Sequence, residues 1–354
     1  MSIRFGIIGF GFMGHVHEEM ITTQVEGAEV TAICDIIEER MNDAITENVK
    51  KFTNADELLA QDDVDVVLIV VPNHLHKKMV IKAAQAGKNI ICEKPVAMSV
   101  KELDEMIAET DRYGVKFTVH QQRRFDQDFR MAKAIYDNKA VGDVYTIKSS
   151  LYGFNGNMHD WHVYKKYGGG MLYDWGVHLI DQILFMIDSK LVSLYADVRN
   201  VINDEVDDYF KVIMKFENGI TSEIELGTYY LADKQKWFER HWFIGGNTGS
   251  AYLDGFEPDG KIVRTTRLLK SVPGKIAMTK SGPTRSFGPP PADVLYTEEL
   301  PKVNTKHIDF FTNYVNAYHG NEEFLVKISE VKKVLSLMEA IWTSAETGNL
   351  IRFE

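Results

Sequence analysis

Along the first third of the chain, short apolar runs alternate with stretches of helical hydrophobic spacing. The runs occupy residues 3–8, 29–34, 64–71, 88–92 and 115–120, with a shorter piece at 51–53. Strands spaced in this way require right-handed crossovers, which build a parallel sheet covered by helices on both faces. Residues 64–71 are almost continuously branched aliphatic, the composition of a central strand buried on both sides. Local chemistry marks the helix boundaries. Asn54 with Glu57, and Ser99 with Glu102, have capping-box spacing, and Gly87 and Gly114 stand where a helix must end before the next strand.

Beyond about residue 122 the pattern changes to longer alternating segments at 144–154, 192–201, 209–216 and 221–230, without a helix between each pair. They predict an antiparallel sheet, and Asn218-Gly219 supplies the positive-φ pair of a tight hairpin between the last two. Residues 245–254 suggest a further turn and strand. Residues 256–304 carry Pro258, Pro273, Pro283 and Pro289 to Pro291 with little periodicity, so an ordered excursion or mobile flap is expected. Helical patterns at 306–318 and 329–346 close the chain. At roughly 150 residues per domain, 354 residues favour two domains. The change of texture divides them at 1–121 and 122–354.

With 45% hydrophobic and 26% charged residues, the composition is that of a folding globular protein. The 40 basic and 51 acidic residues leave a net charge of -11, which disfavours nucleic acid and anionic membrane as partners. Cys34 and Cys92 each end an apolar run, as inert buried thiols in a reducing compartment do. The first residues run straight into a strand and no apolar stretch has bilayer length, so a cytoplasmic location is expected.

Gly9-Phe10-Gly11-Phe12-Met13-Gly14 follows a predicted strand and opens a predicted helix. In that order Gly9 permits a tight turn, Gly11 lets a pyrophosphate approach the backbone, and Gly14 lets helix and strand pack closely. Free N–H groups at the helix start then face the phosphates. Asp35 stands 21 positions after Gly14 at the end of the second strand, where a carboxylate can accept bonds from both adenosine ribose hydroxyls and repel a 2′-phosphate. NAD is therefore the expected cofactor, with NADP allowed if Arg40 folds over the adenosine. The third long strand ends at Val71-Pro72-Asn73, and Asn73 and His76 are candidate contacts near the nicotinamide. A metal reading of His74-x-His76 or His15-x-His17 is poor, because residues two apart point to different helix faces; no metal is expected.

Glu93-Lys94-Pro95 ends the fourth strand at the same sheet edge, where a lysine can stabilise charge on a substrate oxygen; the competing reading is a surface ion pair. After Gly168-Gly169-Gly170, the residues Asp174, His178 and Asp181 recur at helical spacing on one face. Histidine exchanges protons near neutral pH, and a carboxylate one turn away can orient it. An Asp/His pair on a helix is also a common structural hydrogen bond.

Together with Arg123-Arg124-Phe125, these motifs resemble the GFO/IDH/MocA oxidoreductases over nearly the whole chain. The resemblance implies an amino-terminal Rossmann domain, a doubly wound parallel sheet, followed by an α+β domain with an open, largely antiparallel sheet that often makes subunit contacts, hence a homodimer or homotetramer. It implies NAD or NADP, sugar or polyol substrates, and Lys94, Asp174 and His178 as catalytic residues. Glu93, Lys94, Gln121 and Arg123 then fall near the nicotinamide, and Lys94, Arg123, Asp174 and His178 near substrate. Residues 152–175 are dense in rings and hydrogen-bonding groups, which suits a sugar, and Tyr152, Asn157, His159 and Trp161 are the candidates there. The expected activity is hydride transfer between nicotinamide and a secondary alcohol or ketone of a cyclic polyol, sugar or derivative. Two alternatives stand beside it: a glycosidase that oxidises its sugar transiently on NAD, and a dinucleotide-binding regulator without chemistry.

Overall fold

The computed structural model describes residues 2–353 apart from 155–157, 230–238, 273 and 287–291. Its first sheet is built from β1 (Ile3–Ile8), α1 (Phe12–Gln24), β2 (Ala28–Cys34), β3 (Lys50–Phe52), α2 (Ala55–Leu59), β4 (Val66–Ile69), α3 (His76–Gln85), β5 (Asn89–Cys92), α4 (Val100–Tyr113) and β6 (Phe117–Val119). The strand order is β3-β2-β1-β4-β5-β6, all parallel. The winding direction reverses between β1 and β4, which opens a crevice at the carboxyl ends of the strands. All four β4 residues are buried, as the aliphatic run requires. Ser99 caps α4 by accepting the Glu102 N–H, and Gly114 ends it with φ 65°. Cys34 and Cys92 are buried free thiols, and burial pushes Cys34 up to about 11.

The second sheet follows α5 (Gln127–Asp137). Its elements are β7 (Val144–Tyr152), α6 (Val177–Met186), β8 (Leu191–Arg199), β9 (Tyr209–Phe216), β10 (Thr221–Gly227), β11 (Glu239–Gly246), β12 (Gly249–Asp254), β13 (Asp259–Thr265), β14 (Lys275–Thr279), β15 (Gly282–Ser286), β16 (Leu295–Glu298), α7 (Asp309–Tyr318), α8 (Ile328–Thr347) and β17 (Ile351–Arg352). Nine strands run in the order β16-β13-β12-β11-β7-β10-β9-β8-β17. Neighbours are antiparallel except β7 and β10, which pair in parallel. That exception arises because the chain leaves β7 through α6 and returns by the β8–β10 meander.

The expected flap at 256–304 is corrected in part. β13 and β16 extend the main sheet, and β14 with β15 forms a separate hairpin. Their periodicity is weak because these two outer strands bury few side chains: only Gly260 and Ile262 of β13 are buried, and no residue of the edge strand β16 is. Pro273 and Pro289 to Pro291 lie outside the described residues, as does residue 230 of the expected fourth strand.

One face of the sheet carries α5, α6 and α8, against alternating buried residues such as Phe210, Val212 and Met214. The other face presents Tyr195, Ile213, Phe243 and Tyr252 to solvent. The final helices return to the first sheet: Phe311 and Tyr314 of α7 meet the Phe5 ring at 6.3 and 6.0 Å, and α8 packs on α4 and β6. Packing thus crosses the expected division at residue 121. Buried Arg124 joins α6 to α8, with Asp181 at 2.7 and 2.8 Å and Glu330 at 2.8 Å. Among the described residues no helix is long and apolar enough to cross a membrane.

Candidate active site

The crevice at the carboxyl edge begins with the glycine turn. Gly9 has φ 97°, and a Cβ there would collide with the Val70 carbonyl; a Cβ on Gly14 would strike the Gly9 carbonyl. Gly11 faces open space, with nothing within 4 Å of a Cβ. Phe12 at the helix start is exposed, Met13 half-buried, and Phe10 turns its ring into the core. Asp35 is held at the end of β2: Oδ2 accepts the Phe10 N–H at 2.8 Å, Oδ1 accepts the Ile37 N–H at 2.9 Å, and Arg40 stands 3.5 Å away. The Gln121 side-chain amide is buried without a protein partner on either atom. An open glycine cradle, an acidic group at the second strand and an orphaned amide near the sheet edge fit a bound dinucleotide.

Asn73 and His76 act as clamps between loops. The Asn73 amide, beside Pro72, donates to the Gly168 carbonyl at 2.9 Å. His76 is buried with its ring nitrogens 2.8 Å from the carbonyls of Pro95 and Val71, and burial lowers its pKa. The Lys94–Pro95 peptide is cis.

Lys94 Nζ donates to Asp174 Oδ1 at 2.7 Å and to the Asp174 carbonyl at 2.9 Å. The surface pair with Glu93 is not formed. Burial would raise the Asp174 carboxyl, but the Lys94 ammonium and then His162 hold it below its ordinary range. The expected orientation of His178 by Asp174 is corrected: among the described residues no hydrogen bond joins them. Residues Leu172–Gly176 form a π-helical turn before α6, so four positions no longer close one turn of a single α-helical face. Asp181 is likewise committed to Arg124. His178 is buried with Nδ1 unpartnered. Burial, then the charges of Lys94 and Arg123, hold its pKa well below the ordinary value, which keeps the imidazole neutral.

Arg123 lies over the Trp175 ring at 3.9 Å and pairs with Asp126 at 3.0 Å. With Phe256 and His307 these residues line a cleft of about 520 Å³. Tyr152 alternates with buried Leu151 and so stands on the other sheet face, where its hydroxyl donates to Glu225 at 2.8 Å; it is not brought to Lys94. His159 is exposed beside Asp160, Trp161 stacks on His162 at 3.8 Å, and Asn157 lies outside the described residues.

Three histidines take places the sequence reading did not assign them. His162 lies close enough to Asp174 and Lys94 for each to influence it. His17 and His120 both meet Glu93 Oε1, at 2.7 and 2.9 Å, in the interior. The Glu93 carboxylate is thus turned inward, away from a ligand in the crevice. His17 was set aside as a ligand because it faces away from His15; its carboxylate partner arrives just after β5, 76 positions on.

Residues 3–121 match the oxidoreductase family with an NAD-binding Rossmann fold, and residues 129–252 match the GFO/IDH/MocA C-terminal domain. The crystal structure of an NAD-binding protein from Listeria innocua superposes with a TM-score of 0.90 at 35% identity, covering 99% of each chain. A 2,7-anhydro-N-acetylneuraminate hydratase from Mediterraneibacter gnavus is 28% identical over 72% of this chain and 67% of its own. A myo-inositol 2-dehydrogenase from Thermotoga maritima is 26% identical over 63% of this chain and 68% of its own. Glycine turn, Lys94 loop and π-helical turn thus occur in a chain that matches the family in both halves, and the protein belongs to the GFO/IDH/MocA family of NAD-binding oxidoreductases.

Proposed function

We propose that the protein moves hydride between nicotinamide and a secondary alcohol or ketone of a cyclic polyol, sugar or sugar derivative. The observation that carries this reading is the Lys94–Asp174 pair at 2.7 Å beside a buried neutral His178. The nicotinamide, when bound, supplies the hydride acceptor or donor. The Lys94 ammonium stabilises negative charge on the reacting oxygen, and Asp174 fixes where that ammonium points. Neutral His178 accepts the hydroxyl proton in the oxidative direction and returns it in the reductive one. Arg123, Trp175 and the adjoining cleft give a substrate ring an apolar face and a cation. A reading with transient oxidation and no net redox change is favoured by one observation, the hydratase among the relatives. A panel of cyclitols, hexoses, uronates and amino sugars, followed both for NADH and for product, separates the two: NADH accumulates only in the dehydrogenase.

Lys94→Ala should lower turnover by roughly 10²-fold or more, the scale for loss of a transition-state charge partner, with NAD binding retained. Single-turnover kinetics and a fluorescence titration of NAD check the two halves separately. Parent-like turnover would overturn the mechanism.

Because His178 resists protonation, the acid limb of kcat/KM for alcohol oxidation should fall well below pH 6.5, the ordinary histidine value. His178→Gln should abolish that limb. The same depressed pKa contributes stability that is complete above about pH 6.5 and is lost as the pH falls toward the folded-state value, because the unfolded chain takes up the proton first.

Asp35 should favour NAD over NADP by about 10²-fold in kcat/KM, since a 2′-phosphate would meet a like charge worth a few kcal/mol. Comparable efficiencies would show that Arg40 neutralises it.

The open sheet face, with Tyr195, Ile213, Phe243 and Tyr252 exposed, should associate as a homodimer or homotetramer. Light scattering at micromolar concentration checks this, and a monomeric mass would refute it.

A further inference from the structure

The interior beneath the crevice holds a buried carboxylate that the proposed reaction does not use. Glu93 follows β5 and directly precedes Lys94. Its Oε1 meets His17 Nε2 at 2.7 Å and His120 Nδ1 at 2.9 Å, while Oε2 accepts the backbone N–H of Lys94 at 3.0 Å. His17 comes from α1, three residues beyond Gly14, and His120 directly follows β6. The two imidazoles stand edge to face at 4.6 Å, and Phe310 and Phe311 of α7 close over them.

Two histidines and a glutamate can hold a metal, and these three are the group that could do so among the described residues. The geometry argues otherwise. Donor atoms around a tetrahedral ion at 2.0–2.2 Å would stand roughly 3.3–3.6 Å apart, whereas both nitrogens lie within hydrogen-bonding distance of one oxygen. A ligating imidazole ordinarily donates through its other nitrogen, but His17 Nδ1 and His120 Nε2 have no partner.

We propose that Glu93, with His17 and His120, is a positioning unit: it holds the Lys94 backbone to the helix of the glycine turn and to β6, and so aims the Lys94 ammonium at Asp174. The proposal rests on the reading that Lys94 acts at the reacting oxygen. A carboxylate is required because two oxygens serve three donors. Glutamine has one acceptor oxygen, which can serve the imidazoles or the Lys94 N–H, not both. Burial would raise the Glu93 carboxyl, but the two imidazoles override it and hold it well below the usual carboxylate range, so the acceptor persists. His120 is held down to about 4 by burial and stays a neutral donor.

The test needs no substrate. Acylation of the Lys94 amine by limiting acetic anhydride, followed by mass spectrometry on the intact folded protein, should accelerate about threefold or more in Glu93→Gln. Lys332, paired with Asp104 on the surface, is the internal control. His120→Phe should act like Glu93→Gln, and His120→Asn, which keeps a donor where Nδ1 stood, should restore the parent rate; this pair decides the matter if Glu93→Gln fails to fold. Unchanged Lys94 acylation in the folded variants would overturn the proposal. One equivalent of metal in the purified protein, lost in Glu93→Gln, would overturn it too. In turnover, Glu93→Gln should lower kcat with little change in KM for substrate, and should add less than about threefold in a Lys94→Ala background. A full additional loss there would mark a merely structural role. If acylation responds while Lys94→Ala keeps parent turnover, the positioning stands and the proposed mechanism fails.

Discussion

The ion pair between Lys94 and Asp174 spans the two halves of the molecule, and the form of the crevice depends on it. Lys94 follows the parallel sheet, Asp174 sits in the π-helical turn before α6, and the two charged atoms meet at 2.7 Å with side chains only 17% and 19% exposed. Two partly desolvated charges are tolerated only when each satisfies the other. The surrounding seam keeps them in register: Asn73 donates to the Gly168 carbonyl, and Tyr173 donates to the Met98 carbonyl at 2.9 Å. Removing either side chain while the seam stays closed would strand the other charge in a poorly hydrated cleft.

The same seam sets the local electrostatics. The chain as a whole carries a net charge of -11, yet the charges nearest His178 include Lys94 and Arg123. Burial first, and those two charges after it, keep the buried imidazole neutral, although Lys94 is paired with Asp174 and Arg123 with Asp126. Arg124 with Asp181 and Glu330, and Arg240 with Asp128, neutralise the remaining buried arginines. Arg123 and Arg124 are neighbours in the chain with separate tasks, one lining the cleft and the other tying α6 to α8.

The family frame accommodates different net reactions. Among the relatives, one is a dehydrogenase and another a hydratase, at 26% and 28% identity. A common fold leaves the outcome to the side chains of the site, and the cleft of this chain is lined by Trp175, Phe256, Arg123 and His307.

Much of this was legible in the sequence. Parallel strands, glycine turn, the acidic residue at the end of β2 and helix caps follow from local rules, because each depends on residues a few positions apart or on a periodicity repeated along one element. The open sheet was legible for its central strands, whose alternation is strong, and not for β13 and the edge strand β16, which bury little. Asp174 and His178 were identified by spacing, but spacing assumed an α-helix; the backbone adopts a π-helical turn, and Asp174 pairs with Lys94 across 80 positions instead. Tyr152 was misplaced because alternation assigns a residue to a face without saying which face meets the site. His17, Glu93 and His120 are unremarkable in three separate motifs. Only the stacking of α1, β5 and β6 in the folded sheet brings a carboxylate within reach of two imidazoles, since a buried charge chooses its partners by proximity in space and not along the chain.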